Sequence, residues 1–156
     1  MAGHRGSRVR RFVTLGVGTT GALLLAIQAV PYGHRHENPP VRLEPRWAGS
    51  ATRDLAVRAC YDCHSNETAW PWYSYVAPMS WLIRKDIDEG RGDLNFSEWN
   101  RAQPEAEKTA EVVQKGEMPP RYYVLLHSDA RLSPADRREL IQGLEATMAA
   151  RLPGVQ

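Results

Sequence analysis

An uncharged run near the amino terminus constrains this chain more than any other feature of its sequence. Residues 12–30 carry no charged side chain, and their number is close to the ~20 that a helix needs to cross a bilayer. Arg5, Arg8, Arg10 and Arg11 precede the run, with no acidic residue among them. A basic flank before an apolar run is typical of an export signal, and such flanks stay in the cytoplasm. We therefore expect one N-terminal transmembrane or signal helix in the cytoplasmic membrane, with the rest of the chain on the extracytoplasmic, periplasmic side.

The sequence leaves open whether this helix is cleaved. Small residues precede a potential cut after Ala29, but Ile27 interrupts the A-x-A pattern. The run also exceeds the ~7–15 residues of a usual signal-peptide core. Glycines and Gln28 weaken it as an anchor. We favour a retained, single-pass anchor.

Composition and charge exclude several classes of protein. The chain has 156 residues, 42% hydrophobic and 24% charged, which is typical of a globular protein and not of a disordered or collagen-like one. The net charge of +2 is too small to indicate a nucleic-acid partner. Four of the 20 basic residues lie in the first eleven positions, which leaves 16 basic against 18 acidic residues in the remainder. The basic excess therefore concerns membrane orientation.

The remainder of the chain predicts a small all-α domain with long ordered loops. Ser133 and Asp136 form a capping-box-like pattern around Pro134 at the start of a terminal helix. Thr52 is a plausible N-cap of a short helix that leads into the cysteines. No alternating strand pattern of useful length is present. The predicted segments are a basic cytoplasmic flank (1–11), a membrane anchor or signal segment (12–30), a proline-rich linker (31–49) and the helical domain (50–156).

Glycines and prolines divide this domain further. A helix from Pro78 to about Glu89 is expected to end at Gly90 and Gly92. Another opens at residue 104 and stops at residue 116, after which two consecutive prolines force extended chain.

The pentapeptide at residues 60–64 is a C-x-x-C-H motif, which is typical of c-type haem attachment. Thiols two residues apart can reach the two vinyl groups on one edge of the porphyrin and form thioethers. The next residue then falls under the iron. The motif predicts one covalent haem c, with Cys60 and Cys63 as the attachment sites and His64 as the proximal iron ligand.

Three other interpretations of the motif remain. The first is a thioredoxin-like C-x-x-C, which needs a βαβ context that this helical chain lacks. The second is a structural disulfide or a free thiol pair. Zinc is the third, since it would need both cysteines and His64 with a fourth ligand. The histidines that could supply that ligand are His34, His36 and His127.

Met118 is the leading candidate for the distal iron ligand. It lies in the sequence GEMPP, where the following prolines stiffen the chain. A thioether ligand raises the reduction potential relative to histidine. The weaker candidates are Met79, Met148, which is expected in the core, and the histidines His36 and His127.

Aromatic residues are dense after the motif, and we expect them in the core, with one or two polar tips on haem propionates. Arg84, Lys85 and Arg91 could pair with propionates, although a solvated face suits them better. The aromatic residues are Trp70, Trp72, Tyr73, Tyr75 and Trp81.

The sequence resembles the bacterial haem-binding domain proteins, a small membrane-anchored group related to c-type cytochromes. The matching stretches are HENPP (36–40), CYDCHSNET (60–68), WPWYSYVAPMSWL (70–82), LNFSEW (94–99), GEMPP (116–120) and LSPADR (132–137). The resemblance implies a cytochrome-c-like helical fold, with Cys60, Cys63 and His64 holding the haem. It also places a methionine before Pro-Pro, at Met118.

The predicted function is one-electron transfer by a membrane-tethered monohaem protein, whose redox partner protein the sequence does not identify. Iron ligated by both His64 and Met118 would have no open site, which favours an electron carrier over an enzyme. The alternatives are a haem-based sensor or ligand-binding protein and a haem-free thiol oxidoreductase.

Overall fold

The computed structural model describes residues 3–150, with side chains from residue 9 onward. Within these residues the chain is helical and forms no strand, which confirms the predicted all-α class. Single turns of 3₁₀ helix cover Trp72–Tyr75, Ala106–Lys108 and Ser128–Ala130. The α-helices are α1 (Gly3–Ile27), α2 (Ser50–Ala59), α3 (Tyr61–His64), α4 (Met79–Asp93), α5 (Thr109–Lys115), α6 (Arg121–Leu126) and α7 (Pro134–Ala149).

The chain divides into two compact units. The first unit combines Met1–Arg35 with Pro71–Arg84, and the second combines His36–Trp70 with Lys85–Gln156. Helix α1 belongs to the first unit. Its Val9–Ile27 portion is long and apolar enough to cross a membrane, a property that signal sequences share. The predicted N-terminal apolar helix is therefore confirmed.

Two contacts join the end of α1 to the 71–84 segment of the first unit. The side-chain amide of Gln28 pairs with the backbone of Ala77: Nε2 donates to the Ala77 carbonyl at 3.0 Å, and the Ala77 N–H donates to Oε1 at 2.9 Å. Gly33, at φ +83°, lies so close to Ser80 that a Cβ would stand 2.5 Å from the Ser80 carbonyl oxygen. Only glycine suits this position, because it tolerates both the backbone angle and the approach.

The second unit is built on helix α7, which packs against α2 and α5. Gly143 marks the closest approach, because a Cβ there would lie 2.1 Å from the hydroxyl of Thr52. Thr52 is thus buried inside α2 against α7, and the predicted N-cap role is wrong: Gly49 is the N-cap. The fully buried core side chains include Phe96, Ile87, Leu140, Leu144 and Val113.

The aromatic core of the second unit differs from the expected one. Phe96 stacks on Tyr61 with ring centroids 5.8 Å apart, and on Trp99 at 6.2 Å. Trp47 lies 5.0 Å from Phe96 on a tilted plane. In the first unit, in contrast, Trp72 is 78% exposed and Tyr75 is 59% exposed, so the expectation that the 70–81 aromatics form the core is wrong for these two residues.

The helix boundaries test the local sequence rules. Gly116 ends α5 with a left-handed φ of +73°, and Ser133 with Asp136 forms the full capping box of α7, as predicted. Helix α4 instead continues to Asp93 through Gly90 and Gly92, so the prediction that these glycines stop it is wrong. The reason is a tertiary contact, the close approach of Gly90 to Cys63.

Candidate functional site

The C-x-x-C-H motif forms the junction between α2 and α3. Cys60 closes α2 by donating its N–H to the Ala56 carbonyl at 2.8 Å. Its own carbonyl accepts from the N–H of Cys63 at 3.2 Å and of His64 at 2.9 Å. This turn brings the three side chains onto one wall, and the two thiols are not joined by a disulfide.

The ring of His64 is held by backbone carbonyls. Its Nδ1 lies 2.9 Å from the carbonyl oxygen of Gly90 and 3.1 Å from that of Leu94. Carbonyl oxygens only accept, so Nδ1 carries the proton and Nε2 keeps its lone pair. Burial lowers the pKa of His64 and outweighs these two hydrogen bonds, which act to raise it. The lowered pKa favours the neutral imidazole. A neutral ring with a fixed tautomer is the form that binds a metal.

The motif and α4 touch at Gly90. A Cβ on Gly90 would lie 2.6 Å from the carbonyl oxygen of Cys63 and 3.1 Å from its Cβ. Backbone cannot move aside as a flexible side chain can, so the position requires glycine. Gly90 is therefore needed within α4 for this close approach to Cys63, and it does not end the helix.

The two residues inside the motif fasten it to other parts of the unit. Tyr61 enters the aromatic core next to Phe96. Asp62 accepts a hydrogen bond at Oδ2 from the hydroxyl of Tyr123 on α6, at 2.7 Å, and another at Oδ1 from the N–H of Ala69, at 2.9 Å. Burial and the Asp62 hydrogen bond raise the pKa of Tyr123, so its hydroxyl stays protonated and donating.

Met118 follows the left-handed turn at Gly116. Its N–H donates to the Val112 carbonyl at 3.2 Å, which fixes the loop on the end of α5. The side chain is half-buried and packs against the hydrophobic core.

Two adjoining cavities, of about 170 and 230 Å³, bring the predicted residues together. Cys60, His64 and Met118 line both, and Cys63 lines the smaller one. The smaller cavity has an acidic rim, where burial raises the pKa of Asp86. The walls that the two cavities share are Ala59, Cys60, His64, Asp93 and Met118.

A cation also reaches the larger cavity. Lys108 lines it and forms an ion pair of 2.8 Å with Glu105. The cations that were the weaker candidates for the propionates line neither cavity: Arg91 donates to the carbonyls of Ser65 at 2.8 Å and Glu37 at 3.1 Å. Lys85 pairs with an acid one helical turn away.

The thiols are in their neutral form. Burial raises the pKa of Cys60 to about 12, with Cys63 as a second cause. Burial also raises the pKa of Cys63 to about 12, with the nearby Asp86 and Asp62 adding to the shift. Neither thiol is therefore a reactive thiolate near neutral pH.

The other candidate ligands lie against aromatic rings. His127 stacks on Tyr123 with ring centroids 4.0 Å apart, and its Nδ1 lies 3.0 Å from the Tyr123 carbonyl. His36 meets Trp70 edge-on at 4.4 Å. Neither histidine lines the two cavities. Across the described part of the chain, no three His, Cys, Asp or Glu side chains converge as a metal site, so the zinc interpretation gains no support.

Sequence reasoning missed several residues that build this site. Gly90 stands out in the sequence as a glycine within a helical segment, but such a glycine is usually taken to end a helix. Asp62 and Tyr123 carried no signal, since their contact joins residues far apart in the sequence. Lys108 lies among other charges of a polar helix start and looked like an ordinary surface residue.

The donor set and the apolar wall of the larger cavity fit a haem. Imidazole, thioether and thiol groups are the protein donors that haem iron and its covalent attachment use, and the larger cavity has a mainly apolar wall that includes Leu94, Phe96 and Val113. The site thus defines a helical haem-binding protein.

Comparison with known proteins agrees. The family model of the haem-binding domain matches residues 22–146, and the chain therefore belongs to the haem-binding domain family. No curated protein and no solved structure matches the chain.

Proposed function

We propose that this protein is a membrane-tethered monohaem c-type protein that transfers single electrons on the extracytoplasmic side of the cytoplasmic membrane. The observation that carries the proposal is the shared wall of the two cavities, where Cys60, His64 and Met118 meet and Cys63 adjoins. Bound haem supplies reversible one-electron exchange at iron, which these side chains lack.

Cys60 and Cys63 would attach the haem covalently. Both thiols are reduced and line the same cavity, and the turn between α2 and α3 holds them on one side. Two thioethers would keep the cofactor on an exported protein, from which a dissociating haem would be lost.

His64 and Met118 would hold the haem iron. The carbonyls of Gly90 and Leu94 fix the His64 ring and leave Nε2 available, and the hydrogen bond from Nδ1 increases the basicity of the ring. The loop after Gly116 fixes the backbone of Met118 beside the same cavities. A site with two protein ligands suits electron transfer, because neither position is open to a substrate.

A thiol oxidoreductase is a poorer fit to the same motif. Such enzymes lower the pKa of the attacking cysteine, commonly at a helix N-terminus beside a strand. Here burial raises the pKa of both thiols to about 12. Within residues 3–150 there is also no strand to provide that context.

The test is the haem content of the full-length protein, expressed together with haem-attachment machinery. We expect a haem-c pyridine haemochrome spectrum and haem that stays with the polypeptide on a denaturing gel. Cys60→Ser and Cys63→Ser should each leave one thioether and shift the haemochrome band. Haem that is extracted by acidic acetone would contradict covalent attachment, and a colourless protein would favour the thiol oxidoreductase.

Carbon monoxide separates electron transfer from sensing. Two strong protein ligands should make binding to the ferrous protein slow and incomplete. Fast and complete binding would instead indicate an open iron position, and it would favour the haem-based sensor.

A further inference from the structure

The first unit exposes aromatic side chains that its core does not use. Trp72 is 78% exposed, Tyr75 59% and Val76 45%. All three lie in one short stretch, residues 72–76, which we call the aromatic segment. Large apolar side chains grouped at a surface mark a site of interaction with a partner or a membrane.

The aromatic segment is attached to the end of the apolar helix α1. Gln28, one residue beyond that helix, pairs both amide atoms with the backbone of Ala77, the residue that follows the segment. The same Nε2 also donates to the Leu24 carbonyl in the last turn of α1, at 2.9 Å. Gln28 therefore fixes the aromatic segment at the level where the apolar surface of α1 ends.

Charge in the first unit is of one sign. Residues 1–35 and 71–84 contain six arginines and no acidic residue, while all 18 acidic residues lie in the second unit. Four of these arginines precede the apolar run. The other two, Arg35 and Arg84, lie beyond it, and Arg84 donates to the Arg35 carbonyl at 3.3 Å. Positive charge near a membrane surface attracts anionic lipid headgroups.

We propose that the aromatic segment sits in the membrane–water interface of the leaflet in which α1 ends. Trp72 and Tyr75 place their rings at the boundary of headgroups and acyl chains, where these two residue types are enriched in membrane proteins. Arg35 and Arg84 supply positive charge to the phosphates. This inference rests on the proposed function, because it requires α1 to remain in the membrane.

The test places the photoreactive amino acid p-benzoylphenylalanine at single positions of the full-length holoprotein in vesicles of phosphatidylcholine and phosphatidylglycerol. Position 72 tests the aromatic segment. Position 25 tests the anchor, since Leu25 lies in α1 and is 76% exposed. Position 125 is the matched control, since Leu125 on α6 is 78% exposed but belongs to the second unit. After irradiation, intact-mass spectra reveal adducts with one phospholipid.

We expect adducts at positions 25 and 72, each several-fold above the fraction at position 125. Adducts at position 25 alone would overturn the inference and leave the anchor intact. Equal labelling at 72 and 125 would also overturn it, because lipid contact would then be a general property of exposed positions. Loss of adducts at position 25 would contradict the anchor itself, and the inference would fall with it.

Discussion

His64 donates from Nδ1 to the carbonyl oxygen of Gly90, 2.9 Å away, and Gly90 in turn lies too close to Cys63 for any side chain. The carbonyl of Gly90 thus orients the His64 imidazole, and the absence of a Cβ at Gly90 leaves room for the backbone of Cys63. This relationship makes Gly90 a positioning residue for the whole C-x-x-C-H motif, although it lies 26 residues from His64.

Gly90→Ala should therefore disturb the site. The new Cβ would meet the backbone of Cys63, and overpacking of this kind costs ~1–3 kcal/mol. We expect a lower melting temperature and a reduced fraction of covalently loaded haem, measured by the pyridine haemochrome per polypeptide.

Gly92→Ala is the matched control in the same helix. A Cβ at Gly92 meets nothing within 4 Å. Replacing a glycine in the middle of a helix by alanine stabilises by ~0.5–1 kcal/mol, and at Gly92, one residue before the end of α4, we expect a smaller gain and no loss. Equal losses in both variants would show that α4 needs glycine for its backbone, and that the contact with Cys63 has no special part.

Met118→Leu tests the distal ligand. Leucine keeps the apolar volume but removes the sulfur, so the red charge-transfer band between methionine and ferric iron should disappear. Ferrous protein should then bind carbon monoxide readily. Met148→Leu is the control, since this methionine also packs against the core but does not line the cavities. Survival of the band in Met118→Leu would assign the ligand to another residue.

Tyr123→Phe tests the attachment of α6 to the motif. Removing the hydroxyl leaves Asp62 without its 2.7 Å partner, and hydrogen bonds to charged groups contribute ~1.5–3 kcal/mol. The free energy of unfolding, from urea titrations of the full-length protein in mild detergent, should fall by an amount of this order. Tyr122→Phe should cost less, because its bond to Asp86 is longer, at 3.0 Å, and exposed. A larger loss in the second variant would contradict the assignment.

Stability at acidic pH should depend on Glu44. Arg53 donates from two nitrogens to its carboxylate, at 2.7 Å each, and this is the main cause that lowers the pKa of Glu44 below its ordinary value of 4.5. A depressed folded pKa gives stability that is complete above the unfolded pKa and is lost as the pH falls through the folded pKa.

The measurement compares the protein with Glu44→Gln in urea titrations from pH 7 to pH 3. The difference in unfolding free energy should be constant above about pH 5 and shrink as the pH falls below 4.5. A difference that stays constant across the whole range would mean that the Glu44 carboxylate contributes nothing through its charge.

Local chemistry made part of this fold predictable. Ser133, Pro134 and Asp136 begin α7 by bonds within four residues of each other, so the sequence rule and the structure agree. The same holds for Gly116, whose positive φ ends α5. The membrane-length helix follows from composition alone.

Contacts between distant residues explain the errors. Thr52 has the chemistry of an N-cap, yet it lies inside α2 because α7 offers Gly143 opposite it. Helix α6 follows two prolines and has no capping side chain, and its tyrosines bond to Asp62 and Asp86. No local pattern announces bonds of this kind. The C-x-x-C-H spacing predicts His64 as an iron ligand and the GEMPP sequence predicts Met118, but the carbonyls that orient His64 are found only in the folded chain.

The residues within the C-x-x-C spacing bear on how portable the motif is. Tyr61 is rooted in the aromatic core and Asp62 is tied to α6, while Cys63 requires a bare glycine on α4. A graft of the five residues onto an unrelated helical scaffold would transfer the sequence without the contacts that hold it in place. A designer who wishes to transfer the proposed haem attachment would therefore have to move the pentapeptide together with these three contacts.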